Sequence, residues 1–165
     1  MNQRFLYPLI FMSFLAPSAG VAEDLRTLYH KNYKEFGTVW EKTYQTAAQC
    51  SSAQNMRRYL SNAVQMLGNA EVNETSAEEI ELLAISKPGC FLVGLQLLSR
   101  SEQGKLITFF LLQPIYHEPT EIEVSLQTVW RKGQFQELKK QFLKIKATAN
   151  PALNRDTLQE VRLLP

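Results

Sequence analysis

No H-E-x-x-H helix, G-x-S-x-G elbow, glycine-rich phosphate loop or C-x-x-C pair occurs in this sequence. Those absences remove the common local signatures of zinc proteases, serine hydrolases, nucleotide-binding folds and thiol redox proteins. Histidine is scarce as well, with only His30 and His117 in the chain. A tetrahedral protein-bound metal normally needs three or four side-chain ligands, so neither a metal nor a cofactor is expected. Internal repeats and low-complexity segments are absent too.

A hydrophobic run long enough to cross a bilayer is also lacking near the N-terminus. The apolar stretch from Phe5 to Ala16 follows the single cation Arg4 and is succeeded by "PSAG". It falls short of the roughly 20 residues a spanning helix needs. Small residues Gly20 and Ala22 occupy the −3 and −1 positions of a cleavage site, so residues 1–22 have the layout of a secretory signal peptide. No cysteine lies near the expected cut, which argues against a lipid anchor. Residues 23–165 then form one domain, large enough for an ordinary core. The expected location is the periplasm or the extracellular medium, with no membrane span after cleavage.

Charge of one sign is not in excess. Without Arg4 the chain has 17 Lys and Arg against 16 Asp and Glu, so composition does not suggest a nucleic-acid partner. The distribution is uneven: between Asn69 and Trp130 nine Glu face three Lys or Arg, whereas from Arg131 onward eight basic residues face three acidic ones. Such asymmetry can steer a charged partner or draw two parts of one fold together.

What is present begins with two cysteines, Cys50 and Cys90. In an oxidising compartment two lone cysteines pair most simply with each other. The bridge would close a loop of about forty residues, contributing roughly 3–4 kcal/mol in the chain-entropy model.

Apolar residues Leu25, Leu28, Tyr29, Tyr33, Phe36, Val39, Trp40, Tyr44 and Ala47 recur with helical period, predicting a helix from Glu23 to about Ala48. Its stripe is rich in aromatics, which pack in cores and can also form a ligand platform. A second helix is expected over residues 52–67, capped by Ser51 or Ser52 and stopped by Gly68. Thr75 with Glu78, or Ser76 with Glu79, spells a capping box for a short third helix through Ile80, Leu83 and Ala84. Beyond it the period changes. Residues 90–98 and 105–113 are apolar runs of strand length, and residues 120–130 alternate, with Ile122, Val124, Leu126 and Trp130 opposite Glu121, Glu123, Ser125 and Gln127. These three predict an antiparallel meander. The segment 134–147 is amphipathic: Phe135, Leu138, Phe142 and Ile145 favour a helix that covers apolar surface, while "FLKIKA" also alternates as a strand would.

Helices followed by strands give an α+β expectation, with N-terminal helices packed on an antiparallel sheet of three or more strands. In its element order this resembles cystatin-like or NTF2-like rolls, a likeness of architecture alone.

The candidate site is "IYHEPTE", between Pro114 and Pro119. The prolines stiffen it, since each fixes its own backbone and biases the residue before it toward extended conformations. Tyr116, His117 and Glu118 are the candidate binding residues, displayed at the end of a strand. His117, oriented by Glu118 or Glu121, is the one candidate for acid–base catalysis. The expected function is an exported, non-enzymatic protein-binding module of inhibitor, immunity or envelope-assembly type. Its partner would be another protein of the same compartment or a second copy of itself. The alternative is a small roll acting as an enzyme or small-ligand binder through His117.

Overall fold

Four polar residues, Asn32, Ser52, Asn69 and Ser99, divide the chain into helices. Each side chain accepts the backbone N–H three residues on, from Glu35, Asn55, Val72 and Glu102, at 3.1–3.3 Å. Such a cap contributes about 1 kcal/mol to the helix it opens. At Ser99 the reciprocal bond is also made: the Ser99 N–H donates to Glu102 Oε2 at 2.9 Å, completing a capping box.

The structure, a computed structural model, describes residues 24–149. Among them are helices α1 (Leu25–Lys31), α2 (Tyr33–Ala48), α3 (Ala53–Met66), α4 (Ala70–Ser86), α5 (Pro88–Gln96), α6 (Arg100–Leu106), α7 (Pro119–Trp130) and α8 (Gln136–Ala149). A π-helical stretch, Ile107–Leu111, continues α6. The expected signal peptide 1–22 lies outside the described residues, as does the tail from residue 150.

No strand occurs among the described residues, so the α+β expectation with its antiparallel meander is overturned. The expected strands 90–98, 105–113 and 120–130 fall in α5, in α6 with its π-helical continuation, and in α7. In α7 the buried residues are Ile122, Leu126, Val129 and Trp130, a helical spacing, while Val124 is 63% exposed. Alternation would have placed Val124 inside. Likewise Leu106, Ile107, Phe110 and Leu111 are buried while Phe109 is 52% exposed. Short apolar runs do not distinguish a buried helix from a buried strand by period. The caps do distinguish them: Pro88 and Pro119 stand in the first turns of α5 and α7, where a missing N–H costs nothing.

Other boundaries moved less. The expected first helix is interrupted at Asn32, whose extended backbone closes α1 and caps α2. Helix α3 begins at its Ser52 cap, and Gly68 takes a φ of +95° in the turn beyond it. The stretch expected to be a polar loop before the third helix is the first two turns of α4, so Thr75 and Ser76 lie inside a helix. The Asn73-Glu74-Thr75 sequence, an N-x-T glycosylation pattern, is thus helical rather than a loop.

Helix α3 lies at the centre of one contiguous core, with Met56, Tyr59, Leu60 and Ala63 fully buried. It approaches α5 closely at Gly94. A Cβ there would overlap the Met56 side chain, lying 2.6 Å from its Cβ and 3.1 Å from the Arg57 backbone nitrogen. The Arg57 guanidinium crosses to the end of α5 and donates to the Leu97 carbonyl at 3.1 Å. Cys50 and Cys90 form a disulfide, with Cα atoms 6.0 Å apart, joining the end of α2 to the start of α5. Helix α8 is amphipathic as expected; it buries Leu138, Phe142 and Leu143, with Phe142 against Trp130. No helix of the described residues is long and apolar enough to cross a membrane.

Candidate functional site

Between Leu112 and α7 the chain makes no regular structure, and one side chain organises it. Glu81, on the buried face of α4, is fully enclosed. Its Oε1 accepts the Ile115 N–H at 2.8 Å, and its Oε2 accepts the Tyr116 and His117 N–H groups at 2.9 Å each. Three successive amides thus converge on one carboxylate, an arrangement that satisfies both partners away from water. The loop is pinned from beneath, and its side chains point away: Ile115 is 64% exposed and Tyr116 is also exposed.

The sequence-predicted residues are therefore brought together, though not at a strand end. Tyr116 donates its hydroxyl to Glu74 Oε1 at 3.3 Å, and desolvation, followed by the α4 carboxylates, raises the phenol above its ordinary pKa. His117 Nδ1 lies 3.4 Å from Glu121 Oε2, a one-turn pairing at the start of α7. Glu118 provides the extended residue before Pro119, and its side chain makes no capping bond. Glu123, expected on a solvent face, instead pairs with Lys146 of α8 at 2.6 Å. Of the two carboxylates proposed to orient His117, only Glu121 is placed to do so. His117 and Glu121 have no third acid or imidazole with them that could complete a metal cluster among the described residues.

Ser125 donates to the Ile85 carbonyl at 2.7 Å, tying α7 to α4. Exposed apolar residues Leu82, Ile115, Tyr116 and Val124 thus belong to three segments bound directly to one another. Glu81 was not singled out from the sequence. The signal was there: it adjoins Ile80 and follows Ala77 by one turn, a carboxylate on an apolar helix face.

A second cluster lies where α1 and α2 meet α4. Tyr29, Tyr33, Phe36 and Trp40 form a run of ring contacts with centroids 5.1–6.4 Å apart, continuing to Tyr59 and Tyr44. The Glu71 carboxylate accepts hydroxyls from Tyr29, at 2.7 Å, and from Tyr33. Those two bonds, Tyr33 first, hold Glu71 below the usual carboxylate range. Deeper in, Glu79 Oε2 accepts from Trp40 Nε1 at 3.1 Å and from the Tyr59 hydroxyl at 2.6 Å. Burial outweighs these bonds and raises the Glu79 pKa.

In comparisons with protein-family models, curated proteins and solved structures, none matches the chain.

Proposed function

We propose that this chain is an exported, non-enzymatic module that binds another protein, in the manner of an inhibitor, immunity protein or envelope-assembly accessory. Its contact surface is the 112–118 loop with the adjoining faces of α4 and α7. The observation that carries this reading is the Glu81 cradle. A buried carboxylate fixes three consecutive amides, and Ile115 and Tyr116 are displayed outward from them. Apolar side chains ordered before binding lose less freedom on association, and tyrosine is enriched at binding hot spots. The disulfide supports an oxidising compartment, where such bridges persist. The partner is a protein of that compartment or a second copy of the chain.

The test uses the disulfide-intact protein as bait in an envelope extract, beside Ile115→Asp and His117→Ala variants. A stoichiometric partner should be captured by the wild type and by His117→Ala, and lost with Ile115→Asp. Sedimentation of the pure protein identifies a self-partner. A monomeric mass together with no stoichiometric partner overturns the proposal. The His117–Glu121 pair favours a second reading, an acid–base role for His117. A catalysed turnover that disappears in His117→Ala would establish that reading instead.

A further inference from the structure

The aromatic run on α1 and α2 is more than core. Tyr29, Tyr33, Phe36, Gly37, Trp40 and Glu71 surround a cleft of about 160 Å³. That is smaller than the roughly 300–1,000 Å³ of sites for drug-sized ligands, and of the scale of a single charged head group. Its walls are π-faces and edges in two orientations: Tyr29 is nearly perpendicular to Tyr33 and Phe36, while Tyr33 and Phe36 are stacked within 29°. Tyr33 is largely exposed, whereas Phe36 and Trp40 are buried, so the cleft runs inward from solvent.

Its charge has one sign. Glu71 stands in the lining, each of its two oxygens accepting one tyrosyl hydroxyl. Each oxygen retains a further lone pair. Donation to a carboxylate also enriches the two phenol rings in electron density, which strengthens their attraction for a cation. Glu74 and Glu78 are exposed further along the same helix. Lys34, next to Tyr33, lines the outer groove of α2, which shares Tyr33 and Gly37 with the cleft.

Gly37 lines both this cleft and the adjoining outer groove of α2. It lies in the interior of α2, where glycine is less favourable than alanine by about 1 kcal/mol. Neither packing nor backbone geometry requires it: a Cβ there would meet nothing within 4 Å, and its φ is not positive. A side chain there would stand where the cleft adjoins the outer groove of α2.

We propose that this cleft is a binding site for an organic cation, an alkylammonium or guanidinium group, held against the rings of Tyr29, Tyr33, Phe36 and Trp40 and neutralised by Glu71. Aromatic surfaces with an adjacent carboxylate are the chemistry that recognises such groups. The site is separate from the 112–118 surface, so its success or failure leaves that reading untouched. The cation can be a free small molecule or a lysine or arginine side chain, and the two sources are separable by experiment.

Tetramethylammonium chloride is titrated into the disulfide-intact protein with tryptophan fluorescence as the readout. Trp40 reports on the cleft, and Trp130, packed on Phe142, gives a constant background. Sodium chloride at equal ionic strength and the neutral isostere 3,3-dimethylbutanol are the controls. A saturable change with tetramethylammonium alone is expected. Glu71→Gln should weaken it severalfold, the loss expected when the charge of an exposed carboxylate is removed. Gly37→Leu, a helix-favouring change that places a large side chain in the lining, should weaken it while the thermal midpoint is kept or raised. A parallel titration with short peptides bearing lysine, trimethyl-lysine or arginine shows whether a polypeptide side chain is the better ligand. No saturable response to any of these cations overturns the proposal, as does an equal response to the neutral isostere. Unchanged binding in Glu71→Gln overturns it too.

Discussion

Replacing Glu81 with Ala tests the organisation of the loop most directly. The substitution removes one fully buried carboxylate and leaves the amides of Ile115, Tyr116 and His117 without their acceptor. Hydrogen bonds to a charged group contribute about 1.5–3 kcal/mol each, and an orphaned donor costs about 1–3 kcal/mol. The loop is partly exposed, so water can recover some of this, and the low end of each range applies. Three bonds then correspond to about 3–4.5 kcal/mol. Glu81→Gln keeps one carbonyl oxygen, which can serve Tyr116 and His117, but turns an NH2 toward the Ile115 N–H. Its cost should be near 2 kcal/mol, one lost bond plus one donor–donor conflict. Urea unfolding measures both, with Glu78→Ala, an exposed α4 carboxylate, as a control expected within about 0.5 kcal/mol of wild type. Hydrogen exchange supplies the site-specific readout: the three amides should be protected in the wild type and released in Glu81→Ala. A loss below about 1 kcal/mol, with exchange at these amides unchanged, would refute the cradle as the source of loop order.

Four further outcomes are expected. Gly94→Ala should destabilise by about 1–3 kcal/mol in thermal or urea unfolding, because its Cβ overlaps Met56 and presses on the α3 backbone. Val124→Ser should fall within about 0.5 kcal/mol of wild type while Leu126→Ala costs about 2–5 kcal/mol, a contrast that a strand with both residues inward would not show. Thiol titration of the native protein should find no free cysteine, and reduction should lower stability by roughly 3–4 kcal/mol. Glu79, whose pKa is raised chiefly by burial, binds its proton more tightly folded than unfolded. Its contribution is therefore fullest below the ordinary carboxylate pKa and declines as pH rises through the raised value. Glu79→Gln, which can still accept from Trp40 and Tyr59, should flatten that decline in pH-dependent unfolding; an unaltered profile would contradict the assignment.

Much of the helical half was legible from local chemistry. Ser52 and Gly68 bracket α3 in sequence as they do in space, because a cap and a positive-φ glycine act through neighbouring backbone atoms alone. Amphipathic α8 was legible for a similar reason, since one polar and one apolar face show a period. Helix α5 shows none: Phe91, Leu92 and Leu95 are buried, and the intervening residues are apolar as well. Its exposed side, with Val93 and Leu97, is apolar too, so the sequence carries no face-to-face contrast, and a run of nine residues suits either conformation. In α7 the alternation of Ile122, Val124 and Leu126 coincided with a strand pattern, yet Val124 is an exposed apolar residue on a helix. For α6, the Ser99–Glu102 capping box was a local helix signal that outweighs the strand-length apolar run following it.

Sequence alone determined the covalent and local terms: the disulfide pairing of the only two cysteines, the Ser52-capped start of α3, and the stiff, proline-bounded loop bearing Tyr116 and His117. Tertiary structure decided what those pieces meet. Glu81 and Ile115 are 34 residues apart in sequence, and Glu71 meets Tyr33 across 38. No periodicity within either segment encodes such distant pairings. They arise because α4 packs its buried face into the core, carrying one carboxylate beneath the loop and another beside the tyrosines.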